Sequence, residues 1–359
     1  MAKLKLGVIG AGSWAVASHL PNLAKRPEVE FTAVCRHGAE ALDQIKRDWG
    51  FAYASEDFTV VLDAAPDIVV VSSPGALHYT HAKSALFAGA HVMVEKPFTL
   101  TAAQAWDLVH TAAAMDRHIV VALGYNHKPM VAAAAAFMAE PYGVGRVEHL
   151  AIGMCSGTRT LLTDAGAYVK AAKGFAPEPG TWTDPAISGG GYAQAQLSHA
   201  LGIALYLTGL SAREVFALTY RPDGARVEIN DAAVIGYDGG AIGTLSGASA
   251  HPGYLAERDL LRVNIVGDAA QLDLDFQSDT VSWHSPTEGT RRAELPPEAG
   301  SYDCDGPPNR LVDLALGRTE LNPSPGELGA RSVEIVEALY TSAAERRPVQ
   351  IGRPGKETR

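Results

Sequence analysis

Short apolar runs alternating with helix-length segments constrain this chain more than any other feature. Residues 4–9, 29–35, 68–72, 91–95 and 119–124 are rich in valine and isoleucine and nearly continuous in their hydrophobicity. A strand with one wet face alternates apolar and polar residues. A run without alternation belongs to a strand buried on both faces, as in a parallel sheet covered by helices on each side. Thr101 and Gln104 have the spacing of a capping box at the start of one intervening helix. The pattern predicts an α/β fold whose first domain, residues 1–124, is a doubly wound parallel sheet.

Beyond that domain the periodicity changes. Residues 130–140 are alanine-rich and read as a helix, 143–153 as a turn and strand, 177–191 as a loop, and 193–207 as a helix. Residues 215–220, 232–237, 241–246, 261–266 and 270–276 then read as strands. Their links are too short for helical crossovers, which predicts an open, mostly antiparallel sheet. A last helix is expected over 327–345. The second domain, residues 125–359, is therefore expected to be α+β. Its open sheet is expected to serve as substrate wall or as the contact of a homo-oligomer, a dimer or tetramer.

Charge narrows the partners. Thirty Lys and Arg against 40 Asp and Glu give a net charge of −10, without a basic cluster. Nucleic acid and anionic membrane surfaces are poor partners for such a chain. No apolar stretch is long enough to span a bilayer, and residues 1–10 lack the apolar core and cleavage site of a signal peptide. Cys35, Cys155 and Cys304 lie far apart and form neither a disulfide framework nor a thiolate zinc site. A cytoplasmic setting is expected. His78 and His81 share a helix face, but no carboxylate or cysteine cluster joins them, so no metal site is expected.

The first strand runs into Gly10-Ala11-Gly12-Ser13-Trp14-Ala15, which opens a helix. Gly10 permits the tight turn, Gly12 leaves room for a pyrophosphate, and Ala15 allows close helix–strand packing. The helix N-terminus, Ser13 and Trp14 included, offers N–H groups and a partial positive charge to phosphates. This is the dinucleotide-binding pattern. An acidic residue at the end of the second strand would favour NAD. The sequence has Arg36-His37 there, and Arg36 can pair with a 2′-phosphate, so NADP is expected, with NAD as the alternative. Ser73, Pro74 and His78, after the third run, are expected to form another wall of the crevice.

Glu95-Lys96-Pro97 closes the fourth run, at the carboxyl end of a parallel strand where ligands bind. Lys96 is expected to reach the cleft, and Pro97 to fix the turn, with a cis bond open to it. Downstream, Ser188-Gly189-Gly190-Gly191 feeds a helix carrying Gln194, Gln196 and His199, with Gln196 and His199 on one face. Trp182 and Asp184 precede it, an aromatic plane and a carboxylate suited to a polyol. Tyr79 and Lys83 match the tyrosine–lysine spacing of short-chain dehydrogenases, but too early in the chain, and are read as coincidence.

With these segments the chain resembles the glucose–fructose oxidoreductase / inositol dehydrogenase / MocA family over nearly its whole length. The resemblance rests on Gly10-Ala11-Gly12, Glu95-Lys96-Pro97, the segment from Trp182-Thr183-Asp184-Pro185 to Gly191, His199, and Arg347-Pro348-Val349 after the last helix. It implies hydride transfer between a nicotinamide and a secondary hydroxyl or ketone of a sugar, glycoside or cyclitol. Lys96 and His199 then take the family's lysine and histidine roles, with Trp182, Asp184, Gln194 and Gln196 around the substrate. The family's acidic residue four before the histidine falls on Ala195. Gln194, Gln196 or Asp184 replaces it, or the pairing that tunes the histidine is lost. An alternative within the same fold is a glycosidase that uses bound dinucleotide for transient oxidation. A non-catalytic cofactor sensor would have no need of Lys96 and His199.

Overall fold

The computed structural model describes residues 3–165, 180–251, 253–254 and 258–352. Two compact units emerge. The first collects residues 3–127, 180–189 and 303–330; the second collects 128–165, the described part of 190–302, and 331–352.

The first unit is built on β1 (Leu4–Ile9), β2 (Val29–Cys35), β3 (Tyr53–Ser55), β4 (Ile68–Val71), β5 (His91–Val94) and β6 (Ile119–Val121). All pairs are parallel, in the order β3-β2-β1-β4-β5-β6. The non-alternating apolar runs have their cause here: every residue of β4 is buried, as are the last four of β1 and of β2. β3 escaped the sequence reading because its three residues are exposed or half-buried and carry no apolar run. The helix Ala102–Met115 starts where the capping pair predicted, with the Thr101 hydroxyl accepting from the Gln104 amide at 3.3 Å.

Sequence reading also missed the helix Gly306–Ala315. Its Pro307 and Pro308 look like loop residues, yet proline is tolerated in a first helical turn, where the missing N–H has no intrahelical partner anyway. Leu311, Val312 and Leu314 of this helix join Leu6, Val8, Ile68, Val70, Met93 and Val120 in one buried cluster. Arg26 ties it down through Asn309 at 3.1 Å and Asp313 at 2.6 Å.

The second unit carries a nine-stranded sheet. Its strands are β7 (Val147–Ser156), β8 (Ala212–Tyr220), β9 (Asn230–Tyr237), β10 (Ile242–Ser249), β11 (Leu260–Gly267), β12 (Gln271–Asp275), β13 (Thr280–Ser285), β14 (Gly289–Arg292) and β15 (Val349–Gln350). The order is β14-β13-β12-β11-β7-β10-β9-β8-β15. Pairing is antiparallel except where β7 inserts parallel to β10. The expected open, mostly antiparallel sheet is present, with β13, β14 and β15 added. The helix Ser198–Thr208 packs on β7 and β11. It is buried from Ser198 to Leu205, which its nearly all-round apolar sequence requires. On β8, β9 and β10 burial alternates, and Phe216, Leu218, Tyr220, Val234 and Ile242 are exposed.

Of the loop expected over 177–191, residues 177–179 lie outside the described residues. The remainder is not all loop, because Pro185–Ser188 forms one helical turn capped by Asp184. Among the described residues no helix is long and apolar enough to cross a membrane.

Candidate active site

The sheet order reverses between β1 and β4, and the first glycine turn sits at that switch point. Gly10 has φ +86°, and a Cβ on it would fall 2.3 Å from the Ser73 amide nitrogen, so the neighbouring strand end dictates glycine here. The Gly10 and Ala11 amides both donate to the Cys35 carbonyl, at 2.9 and 3.1 Å, locking the turn to the end of β2. Gly12 differs. A Cβ there would meet nothing closer than 3.9 Å, so no protein atom forbids a side chain. The helix that follows opens on π turns over Ala15–His19, with no side-chain cap and no acidic residue in its first turn. Ala15 is fully buried. Space beside Gly12 and an uncapped helix start fit the pyrophosphate of a dinucleotide.

At the end of β2, Arg36 donates from Nε to the His37 carbonyl at 2.9 Å and from Nη1 to the Ala11 carbonyl at 3.4 Å, so its guanidinium lies along the glycine turn. The His37 side chain is 86% exposed. Glu56, not singled out in the sequence, reaches the same loop: its carboxylate accepts from the Gly38 amide at 2.9 Å. Burial, with the charges of Asp57 and Glu56, pushes the Cys35 thiol up to about 11, so it stays protonated.

Ser73 and His78 are tied together. The His78 ring lies 2.7 Å from the Ser73 carbonyl through Nε2 and 2.7 Å from the Pro97 carbonyl through Nδ1. A neutral ring donates to one of these and an imidazolium to both, while burial drives the pKa down. His81 lies 2.9 Å from the Ser73 hydroxyl and is pushed down to about 4 by burial and by His78. Pro74 is exposed and precedes the helix Gly75–Phe87. Tyr79 and Lys83 meet Asp107 at 2.9 and 2.7 Å, linking two helices of the same unit.

Glu95, Lys96 and Pro97 follow β5, and the Lys96–Pro97 bond is cis. Glu95 is 6% exposed and accepts from His19 at 2.7 Å and from the Lys96 amide at 3.0 Å. Burial alone would raise this carboxyl. The His19 hydrogen bond and the nearby His19 and Lys96 outweigh it and hold Glu95 below the usual carboxylate range. His19 lies on the helix begun by the first glycine turn, so Glu95 ties that helix to the lysine strand. The Lys96 Nζ lies 5.2 Å from the centroid of the Trp182 ring. An ammonium at that range over an indole face is attracted by the ring quadrupole. Residues 86 positions apart are thus brought together. Asp184 spends an oxygen as a cap, accepting from the Ala186 amide at 3.0 Å.

The second unit holds Gln194, Gln196 and His199. The helix again opens on π turns, over Ala193–Leu197. Gln194 is buried and Gln196 half-buried. His199 is 2% exposed and meets the Tyr302 ring edge-on at 5.2 Å. Lys96 and His199 therefore belong to different units, as do Trp182 and Gln194.

A family model described as "Oxidoreductase family, NAD-binding Rossmann fold" matches residues 4–123, and its companion, "Oxidoreductase family, C-terminal alpha/beta domain", matches residues 167–351. The chain belongs to the Gfo/Idh/MocA oxidoreductase family. Among curated Gfo/Idh/MocA relatives, a D-glucoside 3-dehydrogenase of Escherichia coli K12 is 35% identical over 126 residues, 35% of each chain. A glycosyl hydrolase family 109 protein of Shewanella amazonensis is 33% identical over 133 residues, 34% of this chain and 29% of that one. The chain thus matches about a third of the length of these relatives. A solved levoglucosan dehydrogenase, in complex with NADH and levoglucosan, has the same fold: TM-score 0.78 at 19% identity, over 98% of this chain and 100% of that one.

Within this Gfo/Idh/MocA chain, sequence reading overlooked His19, Glu56, Glu228, Tyr302 and Tyr340. None sits in a motif. Each gains its place only from contacts between segments distant in sequence.

Proposed function

We propose that the chain is an NAD(P)-dependent dehydrogenase that transfers a hydride between the nicotinamide and a secondary hydroxyl or ketone of a sugar, glycoside or cyclitol. The observation that carries this reading is Lys96, at the carboxyl end of the sheet, with its ammonium over the Trp182 ring in the same unit as the glycine turn. Gly10, Gly12, Ser13, Trp14 and Ala15 would hold the dinucleotide, with Arg36, His37, Ser73, Pro74 and His78 beside it. The nicotinamide supplies the acceptor or donor of hydride. Lys96 takes the hydroxyl proton during oxidation and returns it during reduction. In the first unit Trp182 offers a flat apolar face to a sugar ring and Asp184 a carboxylate to its hydroxyls; in the second unit Gln194, Gln196 and His199 are hydrogen-bonding groups assigned to a polyol by the family resemblance alone. A base in contact with the reacting oxygen is worth about 10²-fold or more. Lys96→Met is expected to slow single-turnover hydride transfer by at least about that factor with cofactor affinity unchanged. Unchanged transfer in that variant would remove Lys96 from the chemistry.

Arg36 favours NADP; the Glu56 carboxylate near Gly38 opposes a 2′-phosphate, so Glu56→Gln should strengthen the preference. The likeness to a glycosyl hydrolase family 109 protein favours one second reading, a glycosidase acting by transient oxidation. Absorbance at 340 nm with free sugars, glycosides and inositols separates the two: a dehydrogenase changes it, whereas the glycosidase releases sugar without net change. The exposed row Phe216, Leu218, Tyr220, Val234 and Ile242 supports a homo-oligomer through the second sheet, which sedimentation equilibrium tests against a monomer.

A further inference from the structure

The second glycine turn is occupied by the protein itself. The Glu228 carboxylate is 8% exposed and accepts from the Gly191 amide at 3.0 and 2.9 Å and from the Ala193 amide at 3.2 Å. The Tyr340 hydroxyl donates to the same carboxylate at 2.7 Å and accepts from the Gln194 amide at 3.2 Å. The Glu228 carbonyl adds a fourth link, accepting from the Tyr192 amide at 3.1 Å. Four successive amides, Gly191 to Gln194, at the base of one helix are thus held by one glutamate and one tyrosine from other segments. The fit leaves no room. A Cβ on Gly191 would lie 1.9 Å from the Glu228 carbonyl oxygen, and one on Gly190 would lie 2.2 Å from the Tyr340 hydroxyl. The helix so held carries Gln194, Gln196 and His199.

We propose that Glu228 is the positioning residue of this helix: its carboxylate, clamped by Tyr340, fills the helix N-terminus in place of an external anion and sets the orientation of Gln194 and His199. The consequence for catalysis rests on the proposed reading of His199 as a residue that hydrogen-bonds the substrate during hydride transfer. The anion suits its place, because a helix N-terminus carries partial positive charge and unpaired N–H groups. A second carboxyl, Asp231, is 4% exposed, and neither of its oxygens has a hydrogen-bond partner among the described residues. The donors converge on Glu228, so the negative charge belongs there. Burial raises both carboxyls, and with the Glu228 charge it pushes Asp231 up to about 8; the hydrogen bonds from Tyr340, Ala193 and Gly191 counter it at Glu228, which assigns the proton to Asp231. The other titratable groups facing the pair, Tyr192 and Tyr340, are buried phenols held well above their ordinary range.

The test uses the full-length protein with ¹⁵N-labelled histidine, the His199 ring signal being identified by its loss in His199→Gln. Glu228→Gln keeps the shape and removes the charge. It is expected to displace the His199 ring signal and the amide signals of Gly191, Ala193 and Gln194, with Glu228→Asp returning them part of the way. Tyr340→Phe, which removes one hydroxyl and leaves the carboxylate, is expected to displace the same signals by less, and it decides the matter should Glu228→Gln not fold. A His199 signal unmoved in the folded variants would reduce Glu228 to a stability element and overturn the proposal. The functional reading fails separately: His199→Gln would then leave hydride transfer intact, while the signals still move in Glu228→Gln.

Discussion

Two glycine turns each feed a helix that opens on π turns, yet they serve opposite ends. At the first, Gly10 is dictated by the adjoining strand end, while a side chain on Gly12 would meet no protein atom closer than 3.9 Å. At the second, Gly190 and Gly191 are both pressed against protein atoms, and the helix base is filled by Glu228 and Tyr340. The first turn leaves room at Gly12; the second closes on an anion of its own. A glycine-rich loop before a helix is therefore not by itself a phosphate site. What distinguishes the two cases is whether a carboxylate of the chain already occupies the amides.

The sharpest way to break this contrast is pH. Asp231 binds a proton up to about pH 8 in the folded chain, against an ordinary value of 3.8. Between those values the folded state holds a proton that the unfolded state has released. Stability should therefore fall as pH rises through that window, by up to about 1.4 kcal/mol per unit. Asp231→Asn, neutral throughout, should flatten the slope and be the more stable form at pH 8. Urea melts at pH 5, 6.5 and 8 measure it, and an unchanged slope would mean the charge is shared otherwise.

Next comes Gly191→Ala, which forces a methyl onto the Glu228 carbonyl. Overpacking of this kind costs about 3 kcal/mol, so its melting transition should drop sharply while cofactor affinity in the remaining folded protein holds. Gly12→Val should do the reverse: stability within about 0.5 kcal/mol of the parent, with dinucleotide affinity down about a hundredfold, roughly 2.7 kcal/mol. Titration of intrinsic fluorescence with NADPH reads the affinity. If both variants lose stability and keep affinity, the two turns are alike and the contrast collapses. The smallest effect belongs to Arg36→Asp, expected to weaken NADP relative to NAD by about tenfold, or 1.4 kcal/mol. A ratio that stays put would assign Arg36 to its backbone contacts with Ala11 and His37 alone.

Much of the parallel sheet was legible because burial on both faces removes the polar alternation of its strands. β3 was not, since it is too short and too exposed to leave a pattern. In the second unit the alternation of β8, β9 and β10 was readable, but the parallel partnership of β7 and β10 was not, because pairing partners distant in sequence leave no local trace. The candidate site divides the same way. Glycine turns and Glu95-Lys96-Pro97 announce themselves as contiguous words. The meeting of Lys96 with Trp182, of Glu95 with His19 and of Gly191 with Glu228 depends on long-range packing. The structure also gives Asp184 a capping duty that a sequence pattern does not separate from ligand binding.

The helix Gly306–Ala315 has a consequence for how the chain is made. The parallel sheet of the first unit is complete by Val121, but the helix that buries Leu6, Val8, Ile68, Val70, Met93 and Val120 is synthesised roughly 190 residues later. At about 5–20 residues per second the ribosome takes roughly 10–40 s to deliver it. For that interval the nascent sheet offers an uncovered apolar surface, the kind that chaperones recognise and that aggregates form on. Chains released before Ala315 should depend on such help far more than finished ones.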